Sequence, residues 1–284
     1  MITGARRIKD LIRNRAKGDS AKAQTLLRHY AMERLLERLS VSDYRNDFVI
    51  KGGMLVASLL GVDERSTRDI DTTMRGRDMS LESVSRILAE VASIDIGDGF
   101  TFELGEPQKI MEDSEYGGVR ISVSASIEKT RTAFKIDIST GDAITPEAIE
   151  YEYGLLFENR SIALRSYNIE TVLAEKLETV LSLVLQTTRM RDFYDIYSLT
   201  ESGCEIDFAL LGNALDATTA VRASAVSLDR SDEMISLLEE SEMMEGHWNR
   251  YQAANPFAKS ICWRDTLASL RALVNAIKDA GAAE

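Results

Sequence analysis

Apolar side chains at Leu26, Leu27, Tyr30, Ala31, Leu35, Leu36 and Leu39 recur at intervals of three and four. That is the spacing of one buried helical stripe, so residues 20–39 are expected to form an amphipathic helix. Ser42-Asp43 and Arg45-Asn46-Asp47 break it. The period then shortens. "FVIKGG" reads as a short strand entering a glycine turn, and "MLVASLLG" as a buried helix that stops at Gly61. "RDIDTTM" alternates as a strand, with Asp69 and Asp71 on one face about 7 Å apart along the chain and Ile70 on the other. Another helix over residues 81–92 starts after Ser80, and strands are expected near 100–104, 119–127 and 133–138, the last two joined by a hairpin turn at "EKTR". In "AFKIDIS", Phe134, Ile136 and Ile138 share a core face, which leaves Lys135 and Asp137 on the other. Pro146 ends this region, a short strand near 161–164 closes the sheet, and from about Asn168 the pattern is mainly helical. The expected class is α/β (α+β), a mixed sheet with helices over 1–166 and a helical domain over 167–284.

Composition narrows the class of protein. A chain of 284 residues, 44% of them hydrophobic, can bury the core of one large domain or two modest ones. The apolar run over 52–62 is too short to span a bilayer, and no basic, apolar and small-residue series opens the chain, so a soluble cytoplasmic protein without a membrane partner is expected. Cys204 and Cys262 are far apart, and His29 and His247 are equally isolated, which argues against zinc chemistry and against a Cys/His nucleophile. A formal charge of −12 argues against a general nucleic-acid coat. The charge is uneven, however. Residues 1–30 carry eight Lys/Arg against two Asp, and residues 229–245 carry seven acids against one Arg. Both are read as solvated helix surfaces, with a polyanion or a partner contact as the alternative.

The candidate chemistry lies in the alternating strands. Asp69 and Asp71 at i and i+2 of one strand, joined by Asp137 from another, can hold one or two Mg²⁺ ions, which take oxygen ligands and bridge nucleotide phosphates. Gly52 and Gly53 have no Cβ, so their backbone can approach phosphate oxygens at the start of the following helix. Together these features suit nucleotidyl transfer. Spacing alone leaves a solvated strand edge beside an ordinary turn equally open.

The segments "HYAMERLLERLS", "DFVIKGGMLV", "RSTRDIDTTM", "EYGGVRISV", "KIDISTGDAITP", "LRSYNIETVLAEKLETVLSL" and "RMRDFYDIY" follow one another as in a known family. In these the chain resembles the AbiEii/AbiGii toxin nucleotidyltransferases, members of the DNA polymerase β-like nucleotidyltransferase superfamily that act in toxin–antitoxin and phage-defence systems. The resemblance covers most of the chain and has no diagnostic motif after about residue 200. It implies a polymerase β-like core with a C-terminal helical domain closing the cleft. It makes Asp69 and Asp71 the metal-binding catalytic pair, Asp137 the third carboxylate, and Lys51, Gly52 and Gly53 a nucleotide-binding turn. Many relatives in the wider superfamily carry Gly-Ser there, so Gly53 leaves phosphate contact to backbone N–H groups.

By the same resemblance, Lys176 in "LAEKLET" is a catalytic lysine whose ammonium stabilises leaving pyrophosphate. Its bland alternative is a pairing with Glu175, Glu178 or solvent. The apolar neighbours Leu173, Leu177, Val180, Leu181 and Val184 are expected to anchor its helix. "RMRDFYDIY" resembles the signature R-x-K-D-x-x-D, with Arg191 as a nucleotide-binding cation where lysine is frequent. There the family pattern makes Asp192 a catalytic base or an orienter of Lys176, supported by Arg189 and Asp195. As first-turn acids they could equally serve the helix dipole. Arg65, Thr67 and Arg68 precede the metal pair as nucleotide or acceptor contacts, with surface pairs to Asp63 or Glu64 as the duller option. The implied activity is Mg²⁺-dependent transfer of a nucleotide from an NTP to the 3′ end of tRNA, with a cognate antitoxin as partner. A protein-modifying nucleotidyltransferase and a non-catalytic nucleotide-binding module are the alternatives. The base, the acceptor, the antitoxin's mode of action and the oligomeric state are not readable.

Overall fold

A computed structural model describes residues 2, 4–110 and 117–282. Glu115 and Tyr116, which open the motif "EYGGVRISV", lie outside the described residues. The chain divides into two compact units, one of Met1–Gly141 with Ile149–Ser166 and the other of Asp142–Ala148 with Tyr167–Glu284.

The first unit runs α1 (Ala5–Ala16), α2 (Ser20–Ser40), β1 (Phe48–Lys51), α3 (Gly52–Leu60), β2 (Asp69–Met74), α4 (Leu81–Ser93), β3 (Thr101–Leu104), β4 (Gln108–Ile110), β5 (Gly118–Ile127), β6 (Thr130–Ser139), β7 (Ile149–Gly154) and β8 (Ser161–Ser166). Its strands form one mixed sheet in the order β3-β5-β6-β2-β1-β8-β7, with β4 also on β5. β2 runs parallel to β6 and β1 parallel to β8, whereas β1 and β2 are antiparallel. The helices begin where the sequence offers a cap. Asp19 accepts from the Lys22 N–H at the start of α2, and Ser80 from the Ser83 N–H at the start of α4. Gly61, at φ 93°, ends α3.

Strand alternation determines which residues face the helices. Ile70, Phe134, Ile136 and Ile138 are all buried, at 4% exposure or less. Each stabilises the unit by about 1.5–3 kcal/mol through burial. α2 packs on β6 and β8, and α4 on β3 and β5. Arg38 of α2 crosses to the loop before β3, where its two terminal nitrogens each donate to a carboxylate oxygen of Asp98 at 2.8 Å. Both residues are buried, at 1% and 0% exposure, so this pair ties helix and sheet with little competition from water.

β4 and β7 were not anticipated. β4, at three residues, is too short to show a period. β7, "IEYEYG", does alternate, but it follows Pro146 and lies at the sheet edge with exposed glutamates at 150 and 152.

The second unit is helical, with α5 (Ile169–Leu183), α6 (Met190–Glu201), α7 (Phe208–Val221), α8 (Ser231–Glu239), α9 (Glu242–Ala254) and α10 (Trp263–Gly281). α5 packs on α6 and α7, and α10 on α6, α7 and α8. Phe193, Trp248 and Trp263 anchor an aromatic core, with Phe193 and Trp263 edge to face at 4.9 Å. Leu173, Leu177, Val180 and Leu181 anchor α5 as expected. Val184 does not. It caps the helix at φ 44°, a left-handed conformation strained for a β-branched residue, and is only half-buried. No described helix is long and apolar enough to cross a membrane.

Candidate active site

Four charged residues stand in one row across the sheet. Lys51 on β1 is paired in register with Asp71 on β2, Asp71 with Asp137 on β6, and Asp137 with Arg120 on β5. Residues opposite one another in a sheet project from the same face, so two carboxylates lie side by side between two cations. Asp69, two residues before Asp71, joins them on that face next to Lys135. The hydrophobic positions of the same strands are taken by the core on the other face, which leaves this one for polar chemistry.

The turn after β1 is built around Asp71. Gly53, in the first turn of α3, donates its N–H to Asp71 Oδ2 at 3.1 Å. This backbone donor, expected from the sequence to meet phosphate, is engaged by the protein's own carboxylate. Gly52 has φ 57°, and a Cβ there would lie 2.2 Å from Asp71 Oδ2. At Gly53 a Cβ would lie 2.3 Å from Thr67 Oγ1. The hydroxyl of Thr67 thus fills the volume that a side chain on residue 53 would occupy. The paired glycines are therefore required by close packing, not only by flexibility.

Burial pushes the Asp71 carboxyl above its ordinary range. The Gly53 hydrogen bond opposes this, Asp137 and Asp69 push it further up, and Lys51 opposes them. A crowded carboxylate of this kind gains from a cation. Asp69 and Asp71 offer the hard oxygen donors that a divalent cation such as Mg²⁺ would take. Asp137 is differently placed, because Arg120 Nε donates to its Oδ1 at 2.7 Å and Arg120 Nη2 to its Oδ2 at 2.5 Å. Among the described residues no group of three or more His, Cys, Asp or Glu is arranged to hold a metal ion.

Arg65 is buried, at 2% exposure, and donates to the Ser66 carbonyl at 2.7 Å, while Arg68 is exposed. Asp63 is held by Arg15 and Lys22, at 2.9 and 2.7 Å. Two basic residues at the site were missed. Arg120 could have been found from the hairpin: the two-residue turn Glu128-Lys129 pairs Ile127 with Thr130, and counting back puts residue 120 opposite 137. Arg28 on α2 donates to the Ala133 carbonyl at 3.1 Å. Burial and the nearby Arg68 lower its pKa, while Asp69 raises it. Nothing in the sequence pattern signals that long-range contact.

The second unit holds a separate charged group. Lys176 on α5 is buried, at 9% exposure, and its Nζ donates to Asp192 Oδ1 at 3.1 Å and to Asp195 Oδ2 at 2.6 Å, both on α6. The three-residue spacing brings both aspartates to one lysine. Arg189 Nε lies 2.9 Å from Asp192 Oδ2, an ion pair outside hydrogen-bonding direction, while Arg191 is exposed. Glu175 and Glu178, the neighbours suggested for Lys176, are instead paired to Arg222.

The family described as "Nucleotidyl transferase AbiEii toxin, Type IV TA system" matches residues 34–273. The chain belongs to the AbiEii family. It is accordingly a nucleotidyltransferase of the toxin class. MenT4, a nucleotidyltransferase toxin from Mycobacterium tuberculosis H37Rv, has a similar fold with a TM-score of 0.58 at 18% identity, over 96% of this chain and 98% of that one. A putative nucleotidyltransferase from H. pylori is similar at a TM-score of 0.56 and 17% identity, over 92% of this chain and 98% of that one. No curated protein matches the AbiEii chain.

Proposed function

We propose that the protein transfers a nucleotide from an NTP to an acceptor hydroxyl, the 3′ end of tRNA, and releases pyrophosphate. The observation that carries this reading is the row Lys51, Asp71, Asp137, Arg120, set beside Asp69 and the glycine turn. Asp69 and Asp71 would hold Mg²⁺. When bound, the ion supplies charge neutralisation on the triphosphate and acidifies the acceptor hydroxyl. Lys51, Arg120 and Arg68 orient phosphate oxygens, and Thr67 supports the turn against which they lie. By the family resemblance Lys176, its ammonium fixed by Asp192 and Asp195, is the second unit's candidate for charge stabilisation of leaving pyrophosphate. Type IV toxins imply a cognate antitoxin, and residues 1–166 would hold the nucleotide chemistry with 167–284 as its helical companion.

The purified protein is incubated with each labelled NTP, Mg²⁺ and total RNA. Label is expected on RNA of tRNA size. Absence of transfer with all four nucleotides would sink the reading, and label on a polypeptide band would replace the acceptor with a protein.

A further inference from the structure

Asp137 has both oxygens engaged by one guanidinium. Arg120 meets it as a two-toothed fork at 2.7 and 2.5 Å, from the facing strand of a hairpin whose register sets the two residues opposite one another. The side chains are partly open to solvent, at 35% for Arg120 and 19% for Asp137, so a soluble anion can reach the pair. The fork takes one lone pair on each oxygen and sets a full positive charge beside the remaining two, which disfavours a divalent ion there. Arg120 is thus, with Lys51, a resident counter-cation of a face carrying Asp69, Asp71 and Asp137. Its planar fork also matches the oxygens of a phosphate, which bears more charge than one carboxylate.

We propose that Arg120 is a phosphate-triggered counter-cation that keeps Asp137 closed to divalent ions until a polyphosphate draws the guanidinium away. This rests on the nucleotidyltransferase reading and adds an order of events to it. The free protein binds metal through Asp69 and Asp71 alone and weakly. Polyphosphate takes Arg120, and Asp137 then becomes available as a third ligand. Because one side chain links the two ligands, each strengthens the binding of the other.

The test needs no turnover. Mn²⁺ binding to the full chain without nucleotide is followed by the electron paramagnetic resonance signal of the free ion. Arg120→Met is expected to bind Mn²⁺ about tenfold more tightly than wild type, the scale of one lost charge-assisted pair. The gain should vanish in Arg120→Met/Asp137→Asn. In the reciprocal arm, Asp137→Asn frees Arg120 and should bind tripolyphosphate about tenfold more tightly in the absence of metal. Unchanged Mn²⁺ affinity in a folded Arg120→Met protein overturns the proposal. If that variant does not fold, unchanged tripolyphosphate affinity in Asp137→Asn does so. Failure of label transfer to RNA with both binding shifts intact would remove the acceptor reading and leave this one standing.

Discussion

Placing a methyl group on residue 52 tests the architecture of the turn most directly. Gly52→Ala forces a side chain into a φ of 57°, which costs about 1–2 kcal/mol for an L-residue. The new Cβ would also lie 2.2 Å from Asp71 Oδ2, so the carboxylate must leave the Gly53 N–H. Losing a hydrogen bond to a charged group costs about 1.5–3 kcal/mol. Together these predict a loss of roughly 3–5 kcal/mol, measured by urea unfolding, with label transfer reduced more than a hundredfold because Asp71 is displaced. Gly61→Ala is the internal control. Its φ of 93° and ψ of 144° are strained for any L-residue, but nothing lies within 4 Å of the added Cβ, so only a backbone cost of about 1–3 kcal/mol should appear and transfer should persist. Equal stability losses in the two variants, or full activity in Gly52→Ala, would refute the packing argument.

Other consequences can be measured independently. Asp71→Asn removes a half-buried, crowded charge, so its urea midpoint should stay equal to wild type or rise by the equivalent of about 1 kcal/mol, while nucleotidyl transfer is lost. Asp98→Ala strands a buried Arg38 and should destabilise the protein by about 3–5 kcal/mol on denaturant unfolding, without altering the chemistry of the folded enzyme. Burial would raise the Glu158 carboxyl, but Arg160 and Arg34 outweigh it and hold it at about 2, against an ordinary value of 4.5. The folded pKa is depressed, so this contribution to stability is present above pH 4.5 and is lost as pH falls toward 2. A Glu158→Gln variant should show a shallower fall in melting temperature across that window.

Much of this was legible because the first unit's strands obey a strict period of two. Alternation in "RDIDTTM" and "AFKIDIS" separated Asp69, Asp71 and Asp137 from Ile70, Ile136 and Ile138, and the structure shows the same division between polar face and core. The start of α4 was readable from Ser80, whose side chain caps it. Periodicity does not report which strands become neighbours. The parallel pairing of β2 with β6, and hence the contact of Asp71 with Asp137, arises from long-range packing. The partners of Lys176 illustrate the same point: Glu175 and Glu178 were nearer in sequence, but Arg222 holds them, and a second helix supplies Asp192 and Asp195. Val184 looked like one more apolar anchor because composition carries no information on where a helix frays.

The two-residue turn at Glu128-Lys129 is far from the acids, yet it acts as their gauge block. One residue inserted there would shift the β5–β6 pairing by a single position and turn one strand over relative to the other. Either the charged side chains would be driven into the hydrocarbon interior or Phe134 and Ile136 would be exposed to water. The spacing of a reactive centre is thus set at a surface loop that never touches it, and length changes at that loop should be tolerated far less than substitutions of its side chains.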